Sequence, residues 1–230
     1  MAVMAVQSKE RARQRADDRE SDGLAGAAAE ERVDSGAPEP AAGRWPARGT
    51  VRERWTVADR NALPDDGLRY EVVDGLLVVS PSPVPQHQWV SVQLELLLSS
   101  ACPEGFVMLH APLDWQVDEH TVFEPDVLVM RRQDVTPERL VGTPVLIVEI
   151  ASPSTARFDR TLKFERYAQA GVRQYWIVDP GSAENSPTVA VFDLDEATGE
   201  YVLQVEASGS DRVDVDGPVP VSMTPADLVA

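Results

Sequence analysis

Val145-Leu-Ile-Val-Glu-Ile-Ala-Ser-Pro-Ser-Thr155 is the stretch on which the reading of this chain turns. Residues 144–150 are almost all Val, Leu and Ile, the pattern of a central strand covered on both faces. One carboxylate, Glu149, interrupts the run, and a charge there is costly unless it is paired or metal-bound. Upstream, Phe123-Glu-Pro-Asp-Val-Leu-Val-Met130 places Asp126 at the start of a strand over 126–131. If the two strands pair antiparallel, the start of one and the end of the other share a sheet edge, and the two carboxylates meet. Downstream, Ser152-Pro-Ser-Thr marks a turn. A helix follows over roughly 159–170 and ends at Gly171, where a left-handed cap residue is common. Lys163, one turn into that helix, can reach back to the same edge. It is one of two lysines, with Lys9, beside 19 arginines. An ammonium among so many guanidinium groups suggests chemistry that needs a compact, tunable charge.

Two carboxylates at one site repel, and one protonates unless a cation lies between them. Hard oxygen ligands of this kind suit Mg²⁺ or Mn²⁺, with the remaining positions left to water and a phosphate. Such an ion activates water and polarises a phosphoryl oxygen, and a nearby lysine orients the water or offsets developing charge. The combination fits phosphodiester hydrolysis.

Further out, Thr56 can cap a short helix running to about Leu63, and Pro64-Asp65-Asp66-Gly67 closes it. Arg69-Tyr-Glu-Val-Val, Asp74-Gly75 and Leu76-Leu-Val-Val form a hairpin, because Asp-Gly fits the positive φ angles of a type I′ turn. Residues 86–101 predict a helix long enough to cross a sheet. Short strands follow at 105–110 and 113–117. Beyond Gly171 come a buried strand over 172–179, an antiparallel pair at 188–193 and 200–206, and an irregular closing segment over 211–230.

The 230 residues, 43% hydrophobic, suffice for one domain over 49–230 plus a tail over 1–48. The tail has no aromatic residue before Trp45 and is expected to be disordered. The first residues lack a basic leader region and no stretch is apolar enough to span a bilayer, so the expectation is a cytoplasmic protein without a membrane partner. The single cysteine, Cys102, excludes an intrachain disulfide and reads as a small core residue. The formal charge is −17, and about 16 of those charges fall outside residues 1–48. That argues against a broad basic surface for nucleic acid. Arginines 131, 132, 157, 160, 166 and 173 can still supply a local basic rim.

Taken together, Arg69-Tyr-Glu-Val-Val-Asp-Gly75, His87, Pro125-Asp126, Val148-Glu-Ile-Ala-Ser-Pro-Ser-Thr155, Asp159-Arg160 with Lys163, Tyr167-Ala168 and Gly171-Val-Arg-Gln-Tyr-Trp-Ile-Val-Asp-Pro180 resemble the Uma2 (DUF820) family of restriction endonucleases. This is a group within the PD-(D/E)XK nuclease superfamily, and the resemblance covers about residues 54–228. It implies an α/β (α+β) fold with a restriction-endonuclease-like core, a mixed sheet flanked by helices and an N-terminal hairpin. It also implies metal ligation by Asp126 and Glu149, and DNA as substrate. Ala151 stands where the superfamily's Glu-x-Lys motif would put a lysine, so the resemblance gives that role to Lys163.

Glu71 is either an exposed alternating strand residue or part of the site, and the resemblance favours the site. His87, at the start of a helix, is a cap or surface residue on its own, and the resemblance assigns it to phosphate or metal-bound water. Asp159 and Arg160 can cap their helix. Tyr175 and Trp176 read as core aromatics. His110 and His120 carry no motif. The catalytic set is therefore Asp126, Glu149 and Lys163, supported by Glu71 and His87. The alternatives are a catalytically weak binding or regulatory module on the same fold, and a phosphodiesterase with a non-DNA substrate. Enzymes of such folds that cut both strands often work as dimers, and by that analogy alone a homodimer is an expectation.

Overall fold

Helix α1 (Val57–Asn61) starts at a capping box: Thr56 Oγ1 accepts the Asp59 N–H, and Asp59 accepts the Thr56 N–H in return. The computed structural model describes residues 54–152 and 156–230, all within the unit Trp45–Ala230. The expectation for residues 1–48 lies outside the described residues, as does most of the turn at 152–155. Strands β1 (Arg69–Val73) and β2 (Leu76–Ser80) pair antiparallel from Arg69↔Ser80 to Val73↔Leu76. Asp74 and Gly75 join them with φ of 51° and 83°, the left-handed values a type I′ turn requires.

Helix α2 (Pro85–Ala101) is followed by β3 (Phe106–His110), β4 (Trp115–Asp118), β5 (Thr121–Phe123), β6 (Val127–Arg131) and β7 (Leu146–Ile150). Next comes a helical crossover of three consecutive pieces, α3 (Ala156–Phe158), a π-helical turn (Asp159–Lys163) and α4 (Phe164–Gln169). It ends in a Schellman arrangement at Gly171, whose φ is 81°: the Gly171 N–H donates to Ala168 O and the Val172 N–H to Tyr167 O. Strands β8 (Gln174–Asp179), β9 (Thr188–Asp195) and β10 (Glu200–Ser208) complete a six-stranded sheet of order β10-β9-β8-β7-β6-β3. Only β7 and β8 run parallel, and the crossover lies between them.

The mixed sheet flanked by helices agrees with the expected fold. Three local readings need correction. Thr121–Phe123 is a strand, and it joins the hairpin to β4 in a four-stranded antiparallel sheet of order β2-β1-β5-β4. Three residues next to Glu-Pro-Asp are too few to show a period of two. The closing segment contains β11 (Val213–Val215), β12 (Val221–Met223) and a 3-10 turn, again in pieces of three or four residues. The crossover is already helical at Ala156, ahead of the expected 159, so Asp159 lies inside the helix and does not cap it.

Period two along β6 and β7 builds two different surfaces. Val127, Val129, Leu146, Val148 and Ile150 pack on α2 through Val90, Leu94 and Leu98. Leu128, Met130 and Ile147 face the opposite way, into a core with Val73, Phe123, Tyr167 and Tyr175. Cys102 is half-buried at the margin of the first core.

Candidate active site

Glu149 alternates with Ile150 and so projects to the face carrying α4 and the hairpin. There it is almost fully buried, at 2% exposure. The antiparallel pairing ends at Val127↔Val148, which brings Asp126 beside the end of β7, and Asp126 Oδ2 accepts the Ile150 N–H at 2.9 Å. Lys163 Nζ lies 2.9 Å from Glu149 Oε1, 3.0 Å from Glu71 Oε1 and 3.9 Å from Asp159 Oδ1. Glu71 Oε1 also accepts the Glu124 N–H at 2.9 Å, which ties β1 to the segment carrying Asp126. His87 Nε2 donates to Asp126 Oδ2 at 3.2 Å, since a carboxylate can only accept. His87 Nδ1 is buried without a hydrogen-bond partner among the described residues.

The five residues singled out by sequence therefore surround one cavity of about 190 Å³, joined there by Arg69, Ser80, Ser152 and the segment Pro81–Val84. Asp159, expected to cap the helix, is buried beneath Lys163, while Arg160 is exposed. Of the arginines proposed as a basic rim, 131, 132, 160, 166 and 173 do not line the cavity. Arg166, for example, pairs with Asp74 and Asp118. His120 Nδ1 is engaged with Trp55 O, away from the cluster.

Charge in this cluster is unevenly shared. Burial would raise the Asp126 carboxyl, but the hydrogen bond and charge of His87, the Arg69 guanidinium and the Ile150 N–H outweigh it and hold that group well below the usual carboxylate range. For Glu149, burial dominates. Lys163 pulls the group down, yet burial together with Asp126, Asp159 and Glu71 leaves it well above its ordinary value. Burial also works against the Lys163 ammonium, and the four surrounding carboxyl groups reverse that and strengthen its hold on the proton. Burial leads the Glu149 shift and the surrounding carboxyl groups add to it, while for Lys163 those same carboxyl groups override burial.

A family model described as "Putative restriction endonuclease", Uma2, matches residues 57–226. The chain belongs to the Uma2 family. Its fold is also similar to the solved structure of "a putative nuclease belonging to DUF820" from Anabaena variabilis ATCC 29413. That match has a TM-score of 0.58 at 19% sequence identity, and covers 76% of this chain and 97% of the other. No curated protein matches. Among the described residues of this Uma2 chain, no helix is long and apolar enough to cross a membrane.

Besides Asp159, two residues of the cluster were absent from the catalytic set read from sequence. Tyr167 OH donates to Glu149 Oε1 at 2.6 Å. Its position four residues after Lys163, on the same helix face, was the available signal. Arg69 Nη1 donates to Asp126 Oδ1 at 3.1 Å, and its Nε lies 2.9 Å from Glu124 Oε1. Arg69 stands two residues before Glu71 on β1, so alternation alone puts both on one face.

Proposed function

We propose that this Uma2 protein is an endonuclease that hydrolyses DNA phosphodiester bonds with Mg²⁺ or Mn²⁺ held by Asp126 and Glu149. The observation that supports this reading best is the meeting of Asp126 and Glu149 at the shared end of β6 and β7, with Lys163 Nζ 2.9 Å from Glu149. The residues fit a hard cation. Both hydrogen bonds to Glu149 fall on Oε1, so Oε2 has none among the described residues, and Asp126 Oδ1 takes a single one, from Arg69. The cluster is also short of positive charge, with four carboxyl groups around the Lys163 ammonium. No three His, Cys, Asp or Glu side chains among the described residues converge as a preformed cage. Two carboxylates are a sufficient anchor for Mg²⁺, which keeps several waters and takes substrate phosphate. When bound, such an ion lowers the pKa of water and offsets charge on the phosphoryl oxygens.

The chain's own groups then have distinct tasks. Lys163 holds its proton firmly, so it acts as a fixed positive charge and donor at the phosphate, not as a base. Glu71 anchors that ammonium and, through the Glu124 N–H, fixes it relative to Asp126. Arg69 and His87 immobilise the two oxygens of Asp126. Tyr167 occupies Glu149 Oε1 and so leaves Oε2 for a ligand. The formal charge of −17 favours a second reading, a binding module of the same fold with little catalysis.

Cleavage of supercoiled plasmid and single-stranded DNA at low salt, with Mn²⁺ or Mg²⁺, separates the two. Metal-dependent cutting by the wild type, reduced at least about 100-fold in Glu149→Ala and in Lys163→Ala, is the expected result. A folded wild type that binds metal and cuts neither substrate would leave the binding module.

A further inference from the structure

The cavity around Lys163 shares walls with its neighbours, one of them a recess of about 600 Å³ across Val84, His87 and Ser152. A second, of about 220 Å³, shares Arg69, Pro83, His87 and Asp126 with it. Across Pro112 and Glu124 the second adjoins a third of about 770 Å³, within the size range of small-molecule sites. A chain of ion pairs runs along the same line. Arg69 lies 3.1 Å from Asp126 and 2.9 Å from Glu124, and Arg60 lies 3.9 Å from Glu124 and 2.6 Å from Asp114. The path from the cluster to the large cavity is therefore lined with guanidinium groups whose charge is already balanced.

The walls of the large cavity combine apolar Val57, Leu113 and Leu140 with exposed Asn61, Gln116 and Arg139. Amide and guanidinium side chains beside an apolar surface are the groups that read the edge of a nucleobase and receive its ring. A base within a duplex is stacked and has its pairing edge occupied, so only an unpaired base can enter such a recess. A single strand threaded here would also depend on few phosphate contacts, which suits a chain of net charge −17.

We infer that the cavity around Lys163 and the two reached across Arg69 and Glu124 form one trough for single-stranded nucleic acid, with the scissile phosphate at the Lys163 cluster and an unpaired base in the large cavity, where Asn61 and Gln116 select it. This rests on the endonuclease reading above and assigns its substrate class. The large cavity acts as the specificity subsite.

The test uses the full chain and short fluorescein-labelled homopolymers of dA, dC, dG and dT, together with a labelled duplex. Binding is followed by fluorescence anisotropy in EDTA, and cutting of the same probes is followed separately with Mn²⁺. Wild type is expected to bind single strands at least about tenfold more tightly than duplex and to rank the four bases. Asn61→Ala and Gln116→Ala should flatten that ranking, weakening the preferred base about tenfold. Both side chains are exposed, so loss of fold does not confuse the result. Equal binding of all four strands, tighter binding of duplex, or an unchanged ranking in both variants overturns the trough. Ranked single-strand binding without metal-dependent cutting keeps the trough and removes the hydrolytic reading. Duplex cutting without base ranking does the reverse.

Discussion

The two faces of the six-stranded sheet are made by the same strands and have opposite character. Toward α2, Leu146, Val148 and Ile150 meet Val90, Leu94 and Leu98 in a seam of hydrocarbon. On the other face, Ile147 is followed by Glu149, and Lys163, Asp159, Glu71 and Tyr167 are buried around it. The difference teaches that burial of charge here depends on apolar packing behind it. The hydrocarbon seam fixes the β6–β7 register, and that register fixes the distance between Asp126 and Glu149.

Lys163→Met should break the charged face most severely. Removing the ammonium leaves Glu149 and Glu71 buried without their shared cation, at a cost of about 3–5 kcal/mol. The loss should depend on pH with a definite sign. Glu149 already has its folded-state pKa raised, and the variant raises it further, so stability is retained at acid pH and lost as pH rises through that value. Urea unfolding between about pH 5 and about pH 8 should show the variant gaining on the wild type toward acid; a constant deficit would refute this account of the cluster.

Leu94→Ala, on the hydrocarbon face, should cost about 3 kcal/mol through the cavity it leaves. Its deficit should be the same across that pH range, and cutting per folded molecule should match wild type. A pH-dependent deficit would show that the two faces are coupled more closely than the packing indicates. Tyr167→Phe should have the smallest effect on stability, about 1 kcal/mol, because one hydrogen bond is lost without loss of volume. It should still slow cutting about tenfold, because Glu149 Oε1 is no longer held. Full activity in Tyr167→Phe would show that the hydroxyl is structural only.

The hydrocarbon face was easier to read from sequence than the charged one. The apolar run before Glu149 showed a covered central strand, and a single carboxylate within it was conspicuous because such burial is expensive. Asp74-Gly75 showed its hairpin because few dipeptides accept two positive φ angles in succession. Asp126 could be linked to Glu149 because antiparallel pairing leaves one place for the start of a strand and the end of the next. The partners of these residues were harder to see. Arg69 and Tyr167 are ordinary residues in ordinary elements, and only the approach of distant segments makes them neighbours of the acids. The helical turn at Ala156–Phe158, which puts Asp159 inside the helix, left no sequence signal. Strand β5 is too short for its period to register, and with it the four-stranded sheet went unseen.

The connection between β6 and β7, residues 132–145, lies at the end of the strands opposite Asp126 and Glu149. Part of it, Glu138–Gly142, lines the large cavity, and the Trp115 indole N–H ties it down by donating to Gly142 O at 2.9 Å. Leu140 is buried in the core beside it, so the cost is that of loop lengthening, about 0.6 kcal/mol for each doubling, only for changes confined to the exposed residues 137–139, while the paired strands keep the acids in place. Inherited variation at those exposed positions can therefore reshape what the protein recognises in small heritable steps, none of which needs to pass through an ancestor that has lost its chemistry.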